Sequence, residues 1–379
     1  MKRFRFMPKL AAAIVSAAMI FSGAVPAFAA EGTTSNFDNV FTVYLGLEEG
    51  APVPNKTISY TTKNVSKPAN ATAPDLGTLT ANFTSKDNSY KVSGLPDTES
   101  ELKSKLTALD RANYAKADVS VKWSEKAFNK AGVYKYMITQ ESLNGKFNND
   151  PSIVRYLDVY VDASESNGTY TYSVAGTVFH ENENDKVDSD NKMAHKSLGY
   201  FDSYNSVDLN FEKKISGNQV DTEDKFTFNL SLENLEKNAT YSITVAGTKY
   251  NFDSEDDGTA SRPGLQLGAG EQIELKGLPK GVKYTFTETD SKGYTPSYSA
   301  PDSSNTVKST GDTATITSNA NNNFTITDEN VEQNTTSVIV NTKTGTVPTG
   351  VIFAVAPFAI GAVAIAAFVI LKVRKATKQ

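Results

Sequence analysis

Apolar and polar residues alternate with a period of two along most of the chain. Phe41, Val43, Leu45 and Leu47 form one such run; Tyr134, Tyr136 and Ile138, then Leu157, Val159 and Val161, then Tyr170, Tyr172 and Val174 form others. The second half repeats the habit at Leu209, Phe211, Lys213 and Ile215, at Phe226, Phe228, Leu230 and Leu232, at Tyr241, Ile243 and Val245, and at Tyr284, Phe286 and Glu288. Successive side chains of a strand point to opposite faces, so each run predicts a strand with one buried face, and the Gly, Asn and Asp between runs supply turns. One segment breaks the period. Thr98 to Ala115 places Leu102, Leu106 and Leu109 at helical spacing behind Glu99 and Glu101, which predicts a short amphipathic helix. The expected fold class is all-β: two tandem immunoglobulin-like β-sandwich domains, residues 30–204 with the helical insertion and residues 205–345. Their boundary falls near Asn205, after the polar stretch Glu181 to Lys192. An internal echo supports two units, since Val92-Ser93-Gly94-Leu95-Pro96 matches Leu275-Lys276-Gly277-Leu278-Pro279.

The ends read differently. Lys2, Arg3, Arg5 and Lys9 precede the apolar stretch Leu10 to Phe21 and the small-residue site Ala27-Phe28-Ala29, the order of a secretory signal peptide over residues 1–29. Val351 to Leu371 is an uncharged run of 21 residues followed by Lys372, Arg374, Lys375 and Lys378. Such a run is long enough for a transmembrane helix, and its basic flank stays in the cytoplasm. The chain is therefore expected to be exported and stopped in the membrane by a C-terminal single span. The ends carry eight basic and no acidic residues, so the exported part keeps 30 basic against 43 acidic residues, a net charge of −13. A surface that acidic does not seek nucleic acid or anionic membranes.

Composition narrows the chemistry. With no cysteine there is no disulfide framework, thiolate metal site or thiol nucleophile, and His180 and His195, the two histidines, lack the spacing of a zinc pair. No metal and no cofactor is expected. Asp253 to Gly258 resembles the opening of a calcium loop, but the twelfth position is Gly264 rather than Glu, so a solvated turn is expected. No nucleophile elbow and no phosphate-binding glycine motif occurs, and an enzyme acting on external substrates is not expected.

Lys213 is the most informative residue, because its phase in the run Leu209 to Ile215 points it at the apolar face. A buried amine is costly unless it is neutralised or paired. Glu288 has the same phase behind Tyr284 and Phe286, and Asn341 follows Ile339. Three polar side chains aimed into one core invite a joint explanation. A register shifted by one residue would put all three in solvent instead, and the pattern alone does not choose.

The segments around these positions carry a resemblance. Leu209-Asn-Phe-Glu-Lys-Lys-Ile-Ser-Gly217, then Gly277-Leu-Pro-Lys-Gly-Val-Lys-Tyr-Thr-Phe-Thr-Glu288, then Val338-Ile-Val-Asn-Thr-Lys-Thr-Gly-Thr-Val-Pro-Thr-Gly350 resemble the Gram-positive sortase-assembled pilins, in particular the streptococcal backbone pilin with its isopeptide linkage domains. The match is strong over residues 205–350 and looser over 36–204. It implies CnaB-type domains and an intramolecular amide bond made by the protein itself, with Lys213 as nucleophile, Asn341 as the source of the carbonyl carbon and Glu288 as general acid/base. Burial favours a neutral amine and a protonated carboxyl, and folding supplies the orientation. Treated like a disulfide, such a bond contributes roughly 5 kcal/mol, and it cannot be reduced. In the first domain the corresponding positions fall at Val43, Gln140 and Asp202, so no bond is expected there; a shifted arrangement through Lys56 or Glu141 has no support.

The resemblance also gives meaning to Thr346-Val347-Pro348-Thr349-Gly350 before the membrane run, which residues 346–379 then complete as a sorting signal. A membrane sortase would cleave between Thr349 and Gly350 and pass the Thr349 acyl group to an amine; read without the resemblance, the pentapeptide is an ordinary juxtamembrane linker. The receiving lysine of the family falls seven residues before Asp202, at His195, which makes the neighbouring Lys196 the candidate, with Lys192 in the same loop. The resulting expectation is a structural subunit of a surface pilus, linked to neighbouring pilin subunits or to peptidoglycan. The alternative is a minor, basal or unpolymerised cell-wall protein or adhesin, for which no residue specifies a host ligand.

Overall fold

The structure is a computed structural model that describes residues 36–86, 91–92, 99–111, 113–123, 127–188, 192–299, 315–318 and 324–346. The expected signal peptide and transmembrane run, and Val347 to Gly350 of the pentapeptide, lie outside the described residues.

The chain is nearly all β. In order it forms β1 (Asn36–Leu47), β2 (Lys56–Ser66), β3 (Leu79–Phe83), β4 (Lys91–Val92), α1 (Ser100–Ala108), β5 (Asn113–Lys122), β6 (Gly132–Gln140), β7 (Phe147–Asn148), β8 (Val154–Ser166), β9 (Thr169–His180) and β10 (Gly199–Tyr204). After Asn205 come β11 (Ser206–Ser216), β12 (Phe226–Glu233), β13 (Thr240–Val245), β14 (Thr248–Asp253), β15 (Ala260–Leu267), β16 (Gln272–Pro279), β17 (Val282–Asp290), β18 (Thr295–Ser299), β19 (Thr315–Ser318), β20 (Phe324–Val331) and β21 (Thr335–Thr342).

These strands make two sandwiches. Sheet β4-β5-β1-β10-β7 and sheet β3-β2-β6-β8-β9 enclose one core, which includes Val43, Tyr60, Tyr136, Leu157 and Tyr200. Sheet β14-β13-β16-β11-β21-β18 and sheet β15-β12-β17-β20-β19 enclose a second, which includes Phe211, Phe228, Tyr241, Phe286 and Ile339. Alternation explains the burial: Phe226, Phe228, Leu230 and Leu232 of β12 are buried, and the residues between them are less so. In each sandwich the first strand lies parallel to the last, β1 beside β10 and β11 beside β21, while the other pairs among the described residues are antiparallel.

Three local expectations change. The helix stops at Ala108 rather than Ala115, because Asp110 turns the chain at φ 55° and Asn113 already pairs with Leu47. Tyr114, Ala115, Ala117, Val119 and Val121 are buried along β5 beside β1, and that pairing prevails over the helical spacing; Leu102 and Leu106 still pack on Tyr114 and Phe201. Tyr170 is 61% exposed, because the outer part of the β8–β9 hairpin pairs only with itself and runs past the core. The echo at Val92 is not an equivalence of position: β4 flanks β5, whereas Leu275 lies directly beside Leu209 of β11.

The halves meet through polar contacts around Asn205. Glu236 accepts hydrogen bonds from the Tyr204 hydroxyl at 3.0 Å, the Lys146 ammonium at 3.3 Å and the Asn55 backbone N–H at 3.1 Å. Glu48 accepts from the Ser206 N–H and hydroxyl, and Arg111 donates to Asn205 at 2.9 Å. Gly277, at φ 71°, sits against the backbone of Gly50 and Ala51 so closely that a Cβ would come within 2.1 Å of the Ala51 nitrogen. Only glycine allows both that conformation and that approach.

Candidate functional site: a buried lysine, glutamate and asparagine

Strands β11 and β21 pair with Lys213 opposite Ile339 and Ile215 opposite Asn341. A period of two therefore points Lys213 and Asn341 to the same face, into the core. Glu288 reaches them from β17 of the facing sheet, flanked in its own sheet by Phe228 and Phe324. The Lys213 Nζ lies 3.0 Å from Glu288 Oε2, and the Asn341 side-chain amide donates to Glu288 Oε1 at 2.5 Å. None of the three is more than 1% exposed. Of the two registers that the alternation left open, the structure has the inward one.

The surroundings tune the groups. Burial lowers the Lys213 amine from 10.5 to about 8, against the opposing pull of Glu288. Burial likewise raises the Glu288 carboxyl above its ordinary 4.5, although Lys213 and Asn341 pull it down. Both shifts move the pair toward neutral amine and neutral acid, which differ from the ion pair by one proton moved across a single hydrogen bond. The Lys213 Nζ stands 4.3 Å from the Phe226 ring centre and 5.5 Å from that of Phe228, and Phe286 stacks on Phe211 and Phe228. These rings keep water out and hold the stem of Lys213 on one path. Asn341 Oδ1 is buried with no hydrogen-bond partner among the described residues, so it is the carbonyl oxygen that a protonated Glu288 would satisfy if the amide turned over. The arrangement can deliver an amine to a carboxamide and move the protons that exchange requires.

Of the positions expected to correspond in the first half, Gln140 and Asp202 meet. Val43 and Asp202 are wholly buried and Gln140 nearly so. The Gln140 amide donates to Asp202 Oδ2 at 2.7 Å, and the Asp150 N–H donates to Asp202 Oδ1 at 2.8 Å. Asp150 in turn holds Arg155 in a buried pair at 3.1 Å. Lys56 and Glu141 form a partly exposed ion pair at 3.3 Å.

Lys192 and Lys196 are exposed on the loop between β9 and β10, with Lys196 bridged to His180 through the backbone. Sequence reasoning did not find what shapes that loop. Both histidines converge on Asp185: His195 Nδ1 lies 2.8 Å and His180 Nδ1 3.7 Å from its carboxylate, and His180 Nε2 lies 3.3 Å from Asp158. Lys135 also reaches Asp158, at 3.7 Å. The one available signal was that both histidines flank the polar stretch. Thr346, exposed, follows a stretch fastened to the end of β11, where Gly345 exchanges two hydrogen bonds with Asn218.

The histidine contact carries a pH dependence. Its hydrogen bond to Asp185 raises His195 above 6.5; burial pushes Asp185 up, but bonds from His195 and Asn182 outweigh it and hold that carboxyl below 3.8. A raised histidine stabilises the fold fully below its unfolded value and loses that contribution as pH rises through the folded one. Amide exchange of residues 181–198, corrected for its intrinsic pH dependence, should therefore quicken from mildly acidic to mildly alkaline pH. In His195→Ala it should be fast at both, and a wild-type loop insensitive to pH would refute this.

A family model described as a domain of unknown function, DUF7601, matches residues 207–343. A curated relative named Pilin, from Streptococcus pyogenes serotype M1, is 29% identical over 255 residues, which is 64% of this chain and 67% of the relative. A crystal structure of the major pilin from Streptococcus pyogenes covers 80% of this chain and 98% of its own, at 19% identity and a TM-score of 0.49. Another major pilin of Streptococcus pyogenes, T3.2, covers 82% and 99%, at 16% identity and a TM-score of 0.47. With the sequence relative spanning about two thirds of both proteins, the chain resembles a streptococcal backbone pilin.

Proposed function

We propose that the chain is a structural subunit of a covalently assembled surface pilus, built of two tandem CnaB-type domains, 30–204 and 205–345, and stabilised by an amide bond that it makes between Lys213 and Asn341. The single observation that carries this reading is the buried contact of Lys213 and Asn341 with the two oxygens of Glu288. Glu288 takes a proton from the Lys213 ammonium, and the neutral amine attacks Cγ of Asn341. Glu288 then returns the proton to the departing nitrogen and takes up the second proton that the newly bonded Lys213 nitrogen sheds. One C–N bond forms, one breaks, and ammonia leaves. The groups are held before the reaction begins, which replaces a bimolecular encounter. The reaction occurs once per chain, so the protein is its own substrate and not an enzyme in turnover.

Thr346 to Gly350 supplies the other linkage. Membrane sortase would cut after Thr349 and transfer its acyl group to Lys196 of a neighbouring subunit, or to peptidoglycan. The signal peptide and C-terminal span bring the precursor to that enzyme. The test is to present the chain to the sortase of its own cell and map the products. A ladder of multimers joined from Thr349 to Lys196 is the expected result. Products joined to peptidoglycan alone would make the protein an anchored, unpolymerised surface protein, and no cleavage after Thr349 would defeat both.

A further inference from the structure

The two sandwiches place their buried polar groups on one framework. Across β11 and β21, Lys213 lies opposite Ile339, and Asn341 follows two residues on; across β1 and β10, Val43 lies opposite Tyr200, and Asp202 follows two residues on. Glu288 pairs with Phe228 in the facing sheet, and Gln140 pairs with Tyr60 in its own. In both halves this third residue reaches across the core to the residue on the last strand, Glu288 to Asn341 at 2.5 Å and Gln140 to Asp202 at 2.7 Å. The direction of the bond is reversed, because carboxyl and carboxamide have exchanged places. Val43 occupies the place of the amine.

We propose that the first half holds a dormant amide-forming centre, in which Asp202 stands at the acyl position, Gln140 at the proton-relay position and Val43 at the amine position. Supplying the amine and the relay restores bond formation. This inference rests on the reading of Lys213, Glu288 and Asn341 as a self-linking site. In the restored centre the introduced amine attacks Cγ of Asp202, a C–N bond forms, a C–O bond breaks, and the oxygen leaves as water with a proton relayed by the carboxyl at position 140. Two features suit Asp202 to that role. Its Oδ1 already accepts the Asp150 N–H, a fixed donor for the charge that develops on oxygen. Burial also pushes its carboxyl up to about 7, which makes the neutral acid accessible near neutral pH. In the native chain the Gln140–Asp202 contact remains a reversible hydrogen bond.

The experiment is peptide mapping of the full chain carrying Val43→Lys with Gln140→Glu. A branched peptide joining position 43 to Asp202, lighter by one water than its two parts, is expected, and adding Asp202→Ala should remove it. Lengthening a buried valine strains a packed core, so a second variant, Val43→Lys with Gln140→Glu and Asp202→Asn, reproduces the residue set of the second half and should lose one ammonia. Absence of the new branch from both variants overturns the inference, whether or not they fold, because a dormant centre must accept its own residue set. The branch between Lys213 and Asn341 in the parent chain is scored separately. Its absence would sink the reading of the second-half site, whatever the first half does.

Discussion

Glu288→Gln is expected to leave Lys213 and Asn341 unlinked, and the full chain then retains the ammonia that the proposed reaction releases from the parent. The substitution keeps the volume and a hydrogen-bonding group in the core but removes the proton carrier, so it separates chemistry from packing. Intact mass, compared with the parent after allowing for the exchanged atoms, reads the result directly. Without the link the second sandwich loses roughly 5 kcal/mol of stabilisation, by analogy with a crosslink closing a loop of this length. For a domain of this size that corresponds to a fall in melting temperature on the order of 10–20 °C. Glu288→Ala should fall further, because it also empties the volume of that side chain in the core and leaves both the Lys213 and Asn341 nitrogens without a hydrogen-bond acceptor. A Glu288→Gln chain that still loses ammonia would remove Glu288 from the mechanism.

Under tension the same bond should decide whether the fibre lengthens. If a subunit is held at Lys196 and Thr349, the force runs from Lys196 into β10, through Asn205 into β11, and across the link from Lys213 to Asn341 before leaving by β21. The rest of the second sandwich is bypassed. Pulled as a polymer, the parent chain is expected to resist without releasing the segment between Lys213 and Asn341. Glu288→Gln should release it, adding on the order of 400 Å per subunit at about 3.4 Å per residue. Equal extension of parent and variant would show that force does not follow this line. Residues 36–195 lie off the path, so the first sandwich can do without a covalent clasp and close on the hydrogen bond from Gln140 to Asp202.

Much of this was legible in the chain because a strand reports its faces with a period of two. Lys213, Glu288 and Asn341 each sit in phase with aromatic and aliphatic neighbours, and each is buried. Their meeting is long-range: Glu288 comes from the facing sheet, and no local pattern specifies which strands face each other. The helix was visible from Leu102 and Leu106, but its end was not, since pairing of β5 with β1 claims residues from Asn113 onward. The convergence of His180 and His195 on Asp185 was hidden for the same reason, because a loop brings together groups that carry no periodicity.

By itself the sequence determined the class of fold, the net acidity of residues 30–349 and the absence of thiol chemistry, all of which depend on composition and local alternation; it offered the inward phase of the three polar residues without choosing it over a register shifted by one. Tertiary structure alone decided that one carboxylate holds both the amine and the amide. It also decided that Gln140 and Asp202 meet in the mirrored place, and that the two sandwiches abut through Glu236 and the bare backbone of Gly277. The physical reason is that these contacts depend on strand register and sheet packing, which are settled by the burial of the whole core rather than by any one segment.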